Sequence, residues 1–175
     1  SAFVFVSQMR SSMPDAIGGV LWFGLDDANM TVFTPVYCNT DRVPASYAEG
    51  NGDCVTFSWD SAFWIYNWVA DMIRPRYSLI NDMRTVQNDL EDMYAHAQEG
   101  IESAAMKLYQ DDPQKAKDFL TDYTSMSAQT AVDCWKRLAE FLIVRYNDGA
   151  VKKVKDGKLV RPKEGNSAPL TRPGY

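Results

Sequence analysis

The feature that most constrains this chain is a change of hydrophobic period near residue 57. Before it, apolar residues come in short alternating or continuous runs. After it they recur at helical spacing through to about residue 150. That order reads as β first and α second, an α+β chain. The 175 residues, 46% of them hydrophobic and 13% aromatic, are one domain's worth of material, enough for a core without disulfide or metal staples. Residues 1–57 read as strands and a rim loop, 58–150 as helices, and 151–175 as a small hairpin and tail.

Within the first part, Ser1 to Arg10 alternates Phe3, Phe5 and Ser7 on one face with Val4, Val6 and Gln8 on the other. This suits a strand buried at its start and polar where it ends. Ile17 to Phe23, running on into Leu25, and Met30 to Tyr37 flank the turn-like stretch Asp26 to Asn29 and predict an antiparallel hairpin. Gly18 and Gly19 leave room for a bulge or a close backbone approach. Residues 38–57 hold Pro44, Gly50, Gly52, Asn39, Asn51 and Asp53 without a period and predict a structured loop.

In the second part, Ser58 can cap a helix over Trp59 to Met72, with Ser61 three positions later. Its expected face is Trp59, Phe63, Tyr66 or Asn67, and Ala70, and its aromatic residues lie nearly all round. Such a helix is buried against more than one neighbour. After Arg74, Pro75 and Arg76, a stripe of Ile80, Met83, Leu90, Ala97, Ile101, Ala104 and Leu108 marks a helix of about 30 residues, roughly 45 Å long. Asp112 and Pro113 open another, with Ala116, Leu120, Tyr123, Cys134, Leu138 and Leu142 on its stripe. The pair reads as two long antiparallel helices, and Asp156 and Gly157 as the turn of a closing hairpin.

The balance of 23 acidic to 18 basic side chains, with no dense basic stripe, argues against nucleic acid as a partner. No run is long and apolar enough to span a membrane, and no signal peptide is visible, so the compartment stays open. A single His and three cysteines without C-x-x-C spacing give no conventional metal site. Ser1 with its α-amine has the form of an N-terminal nucleophile but reads as the first residue of a processed or truncated chain. Arg10 is more informative, since a guanidinium at the polar end of a strand can orient a carboxylate or make a structural ion pair.

Segment order adds what lone residues do not. The runs FVFVSQMRSSMPDAIGGVLWFGLDD, TVFTPVYCNT, VPASYAEGNGD and FSWDSAFWIYNWVADMIRPRYSLINDMRTVQNDLE resemble the C-terminal half of the C69 family of cysteine dipeptidases, which are N-terminal nucleophile hydrolases. The resemblance implies part of an αββα sandwich, with long helices packed outside its strands. It implies hydrolysis of dipeptides or short peptides by an N-terminal cysteine, with no metal or organic cofactor. That nucleophile belongs to a portion preceding the residues here, and Cys38, Cys54 and Cys134 do not occupy its position. The isolated chain is therefore expected to be inactive. Arg10 is the carried-over supporting residue, able to anchor a substrate carboxylate or organise the cysteine centre. Gln8, Trp22, Tyr37 and Tyr47 are expected to shape the substrate cleft. Its expected partners are peptides, the missing N-terminal portion and another copy of itself. Two other readings stay open: a nonenzymatic helical interaction domain, and an amidase acting on a non-peptide amide.

Overall fold

The structure, a computed structural model, describes residues 2–147 and 151–160. Strands β1 (Phe3–Met9), β2 (Gly19–Leu25) and β3 (Thr34–Tyr37) form one antiparallel sheet in that order, with a one-turn helix α1 (Asp15–Gly18) before β2. Helix α2 (Ala62–Ile73) follows, then α3 (Asn81–Asp111) and α4 (Pro113–Tyr146), and a two-stranded hairpin of β4 (Val154–Lys155) and β5 (Lys158–Leu159). The expected α+β order, antiparallel strands and two long helices are all present. The expected tail from Gly165 lies outside the described residues.

The sheet departs from expectation at two joints. Ile17 and Gly18 are helical, not extended, because Pro14 turns the chain and its carbonyl accepts both of their amides at 2.8 Å. The third strand starts at Thr34, not Met30. Backbone groups in between are claimed by α3: Gln87 donates to the Thr31 carbonyl at 2.7 Å, and Glu91 accepts from the Phe33 amide at 3.1 Å. Met30 and Val32 are drawn into the core instead of extending the ladder. The Gly18 expectation of close approach holds, since a Cβ there would stand 2.5 Å from the Arg10 carbonyl oxygen.

The start of β1 is not buried as expected. Phe3 and Phe5 are 55% and 51% exposed, because β1 is an edge strand and nothing described covers the sheet face that carries them. The opposite face is covered. There Val20 and Tyr37 pack on Ala105, Leu120 and Tyr123 of the two long helices.

Helix α2 begins at Ala62, with Ser61 as its cap rather than Ser58, whose hydroxyl instead accepts from the Asp60 amide. Its buried face is Ala62, Ile65, Tyr66, Val69, Ala70 and Ile73, so Phe63 is 37% exposed instead of facing the core. The outward aromatic residues are sheltered by one another: Phe57 packs edge-on to Trp59 and Trp64, and Trp59 meets Trp68 at 5.7 Å between centroids. Tyr66 stacks on the fully buried Trp135 of α4 at 5.4 Å. Asp112 caps α4 by accepting the Gln114 amide at 2.9 Å, with Pro113 next, as the sequence predicts. Positive φ at Asp156 and Gly157 makes the closing turn.

Candidate functional site

The antiparallel register decides which polar side chains meet. Gln8 pairs with Val20 and Val20 with Tyr37, while Val6 pairs with Trp22, so Gln8, Trp22 and Tyr37 all point to the helix-covered face. Arg10 lies just past the end of β1, held there chiefly by the Gly18 carbonyl. Its amide donates to the Gly18 carbonyl at 3.1 Å, and its Nε–H donates to the same oxygen at 3.3 Å. Gly18 has no side chain to block that approach.

Helix α3 supplies the groups that join these residues. Arg10 donates Nη1–H to Oε2 and Nη2–H to Oε1 of Glu102, both at 2.6 Å. The Tyr37 hydroxyl donates to Glu102 Oε1 at 3.2 Å, and Gln98 donates to the same oxygen at 2.9 Å. Gln98 also donates to Gln8 Oε1 at 2.8 Å, which accepts from the Trp22 indole at 3.2 Å as well. The result is one continuous chain of contacts from Trp22 through Gln8, Gln98 and Glu102 to Arg10 and Tyr37.

The Glu102 side chain is only 6% exposed and Arg10 22%, so the pair is partly shielded from solvent on the Glu102 side. The hydrogen bond to Glu102 holds the Arg10 guanidinium still more firmly protonated, against the opposing effect of burial. Burial, and then the neighbouring Glu102 carboxylate, keep the Tyr37 hydroxyl well above the ordinary phenol range. Tyr37 is thus a donor here and not a base.

Arg10 borders two hollows. One, of about 450 Å³, lies over α3 and is lined by Met13, Gln98, Glu102 and Met106. The other, of about 440 Å³, is lined by Met9, Asp15, Gly19 and the Cys38 thiol. A third groove of about 470 Å³ runs under the hairpin between Thr85, Leu138, Phe141 and Val154 and holds none of the expected site residues.

Arg10, Gln8, Trp22 and Tyr37 are brought together. Tyr47 is not among their partners: it sits in a one-turn helix at Ala45–Tyr47 and packs on the core that α2 contributes to. Burial pushes its hydroxyl up to about 12, against the pull of the Tyr66 and Thr34 hydroxyls beside it. Sequence reasoning missed Glu102 and Gln98. The expected α3 stripe ran through Ala97, Ile101 and Ala104, whereas Glu102 and Ala105 are the residues buried in that stretch, about 100° further round the helix. The pattern Gln98-x-x-x-Glu102, continuing from Tyr94, was the available signal.

Cys38, Cys54 and Cys134 are free thiols. Among the described residues, no group of three His, Cys, Asp or Glu side chains could hold a metal ion, and no helix is long and apolar enough to cross a membrane. Ser1 lies outside the described residues. No curated protein matches the chain. The family model Peptidase family C69 matches residues 1–89, which include every expected site residue.

Proposed function

Because the chain belongs to peptidase family C69, we propose that it forms part of a cysteine dipeptidase and contributes one wall of its active site. The nucleophile on this reading is an N-terminal cysteine supplied by a preceding portion of the protein. Its α-amine takes the thiol proton, and the thiolate attacks the scissile carbonyl carbon. Collapse of the tetrahedral oxyanion breaks the C–N bond, and the leaving amine receives the proton held on the α-amine. Water then cleaves the thioester, which releases the acid and restores the thiol.

The observation that carries the reading is the convergence of Gln8, Trp22 and Tyr37, one on each strand of the sheet, with Arg10 just past the end of β1, through buried and part-buried contacts that reach α3. A cluster held this firmly can keep Arg10 in place beside a reacting centre. Arg10, at the end of β1, organises the centre, while Gln8, Trp22 and Tyr37 brace it from the helix-covered side of the sheet. Tyr47 supports the rim loop and reaches substrate only through it.

The uncovered sheet face also supports the reading. Phe3 and Phe5 stand open, with Phe3 stacked on Phe23 at 6.0 Å, and a second sheet from the preceding portion would cover them as the inner layer of an αββα sandwich. The test is hydrolysis of a dipeptide panel by this chain alone, by the full-length protein, and by this chain mixed with the preceding portion. The full-length protein and the mixture should be active and the chain alone inactive. A full-length protein inactive on every dipeptide would sink the assignment.

A further inference from the structure

An arginine has five N–H donors and one positive charge, and what it can offer a ligand is what its own protein has left unused. At Arg10 the Nε–H goes to the Gly18 carbonyl. The two Nη2–H groups go to the Ile17 carbonyl at 3.5 Å and to Glu102 Oε1 at 2.6 Å. One Nη1–H goes to Glu102 Oε2 at 2.6 Å. Among the described residues that leaves a single Nη1–H. The charge is met too: the nearly buried Glu102 faces it with both oxygens. Glu102 itself is held in place by Tyr37 and Gln98.

We propose that Glu102 is the positioning residue of the Arg10 centre. It fixes the plane of the guanidinium and neutralises it, so that the site offers substrate one directed N–H and no net cation. Such a group recognises a neutral carbonyl oxygen of the peptide. A substrate carboxylate at Arg10 would gain little from a charge already matched and would be repelled by Glu102 nearby. The inference rests on the reading that Arg10 faces the peptide substrate.

The test compares kcat/KM of the full-length protein on one dipeptide with a free carboxylate and on the same dipeptide carrying a C-terminal amide. The quantity read is the carboxylate-to-amide ratio. Glu102→Gln leaves the Arg10 charge unmatched and should raise that ratio about tenfold, chiefly through KM, while Glu102→Asp keeps it within about threefold of wild type. A Glu102→Gln protein that loses activity equally on both substrates has an unchanged ratio, and this would overturn the proposal in favour of a purely structural Glu102. Should Glu102→Gln fail to fold, the double variant Arg10→Gln with Glu102→Gln removes both charges together. On this account it keeps the wild-type ratio; a fall of about tenfold would mean that Arg10 lends substrate a net charge, and would equally overturn the proposal. A wild-type protein inactive on both substrates takes down the dipeptidase reading and this inference with it, whereas an active one with an unmoved ratio takes down the inference alone.

Discussion

Arg10 at the end of β1 and Glu102 on α3, 92 residues apart in sequence, form a two-pronged ion pair with both N···O distances at 2.6 Å. This pair ties the end of the edge strand to α3 in the helical layer. Removing one member of a buried pair leaves the other without compensation, so Glu102→Ala should cost about 3 kcal/mol, toward the low end because Arg10 is partly solvated. Urea unfolding of the two proteins measures it. A loss below about 0.5 kcal/mol, the scale of an exposed ion pair, would show that the contact contributes nothing special.

Gly18 carries the second restraint on Arg10. A Cβ at this position would lie 2.5 Å from the Arg10 carbonyl oxygen, which is backbone and cannot swing away. Gly18→Ala should therefore destabilise by about 1–3 kcal/mol. On the proposed reading it should also lower dipeptidase activity of the full-length protein, because the Gly18 carbonyl that receives the Arg10 amide and Nε–H must move. By contrast, Gly100→Ala meets nothing within 4 Å in a helix interior and should stabilise by about 0.5–1 kcal/mol. Thermal melts of the two variants should move in opposite directions.

Alkaline stability should report the buried phenols. Burial raises Tyr47 to about 12, and holds Tyr37, Tyr66 and Tyr94 well above the ordinary value of about 10. Over that interval the folded state keeps protons that the unfolded state loses. Stability is therefore unaffected below about pH 10 and falls as pH rises from there through the folded-state values. Phenolate absorbance should show these tyrosines ionising together with unfolding, not one by one in the folded protein. Tyr47→Phe should make the fall less steep.

Much of this was legible in the sequence. The change of period near residue 57 located the strand and helix layers, Asp112 and Pro113 marked a helix start, and strand parity placed Val6 and Gln8 on a common face. The misses have local physical causes. Met30 to Phe33 looked like strand, but Gln87 and Glu91 drew its backbone to α3, a tertiary choice that no local pattern encodes. Glu102 escaped because a carboxylate on a buried helix face is intelligible only once its cation is known, and Arg10 lay in a different layer. On α2, Tyr66 and Ala70 are buried as expected, but the smaller Ala62, Ile65 and Val69 complete the packed face in place of the bulky Trp59 and Phe63.

The open sheet face gives a further expectation. Phe3 and Phe5 expose enough apolar surface that the chain by itself should self-associate. Sedimentation should show concentration-dependent mass, and the double substitution Phe3→Lys and Phe5→Lys should return it toward the monomer. A strictly monomeric chain at high concentration would contradict this.

The most direct test of the central claim, that the Arg10 cluster is a wall of a dipeptidase centre, is kcat/KM of the full-length protein carrying Arg10→Lys. Lysine keeps the charge but cannot match Glu102 with two parallel donors while directing a further N–H. The account predicts a loss of about a hundredfold with the fold intact by circular dichroism. A well-folded Arg10→Lys protein with activity within about threefold of wild type would contradict it.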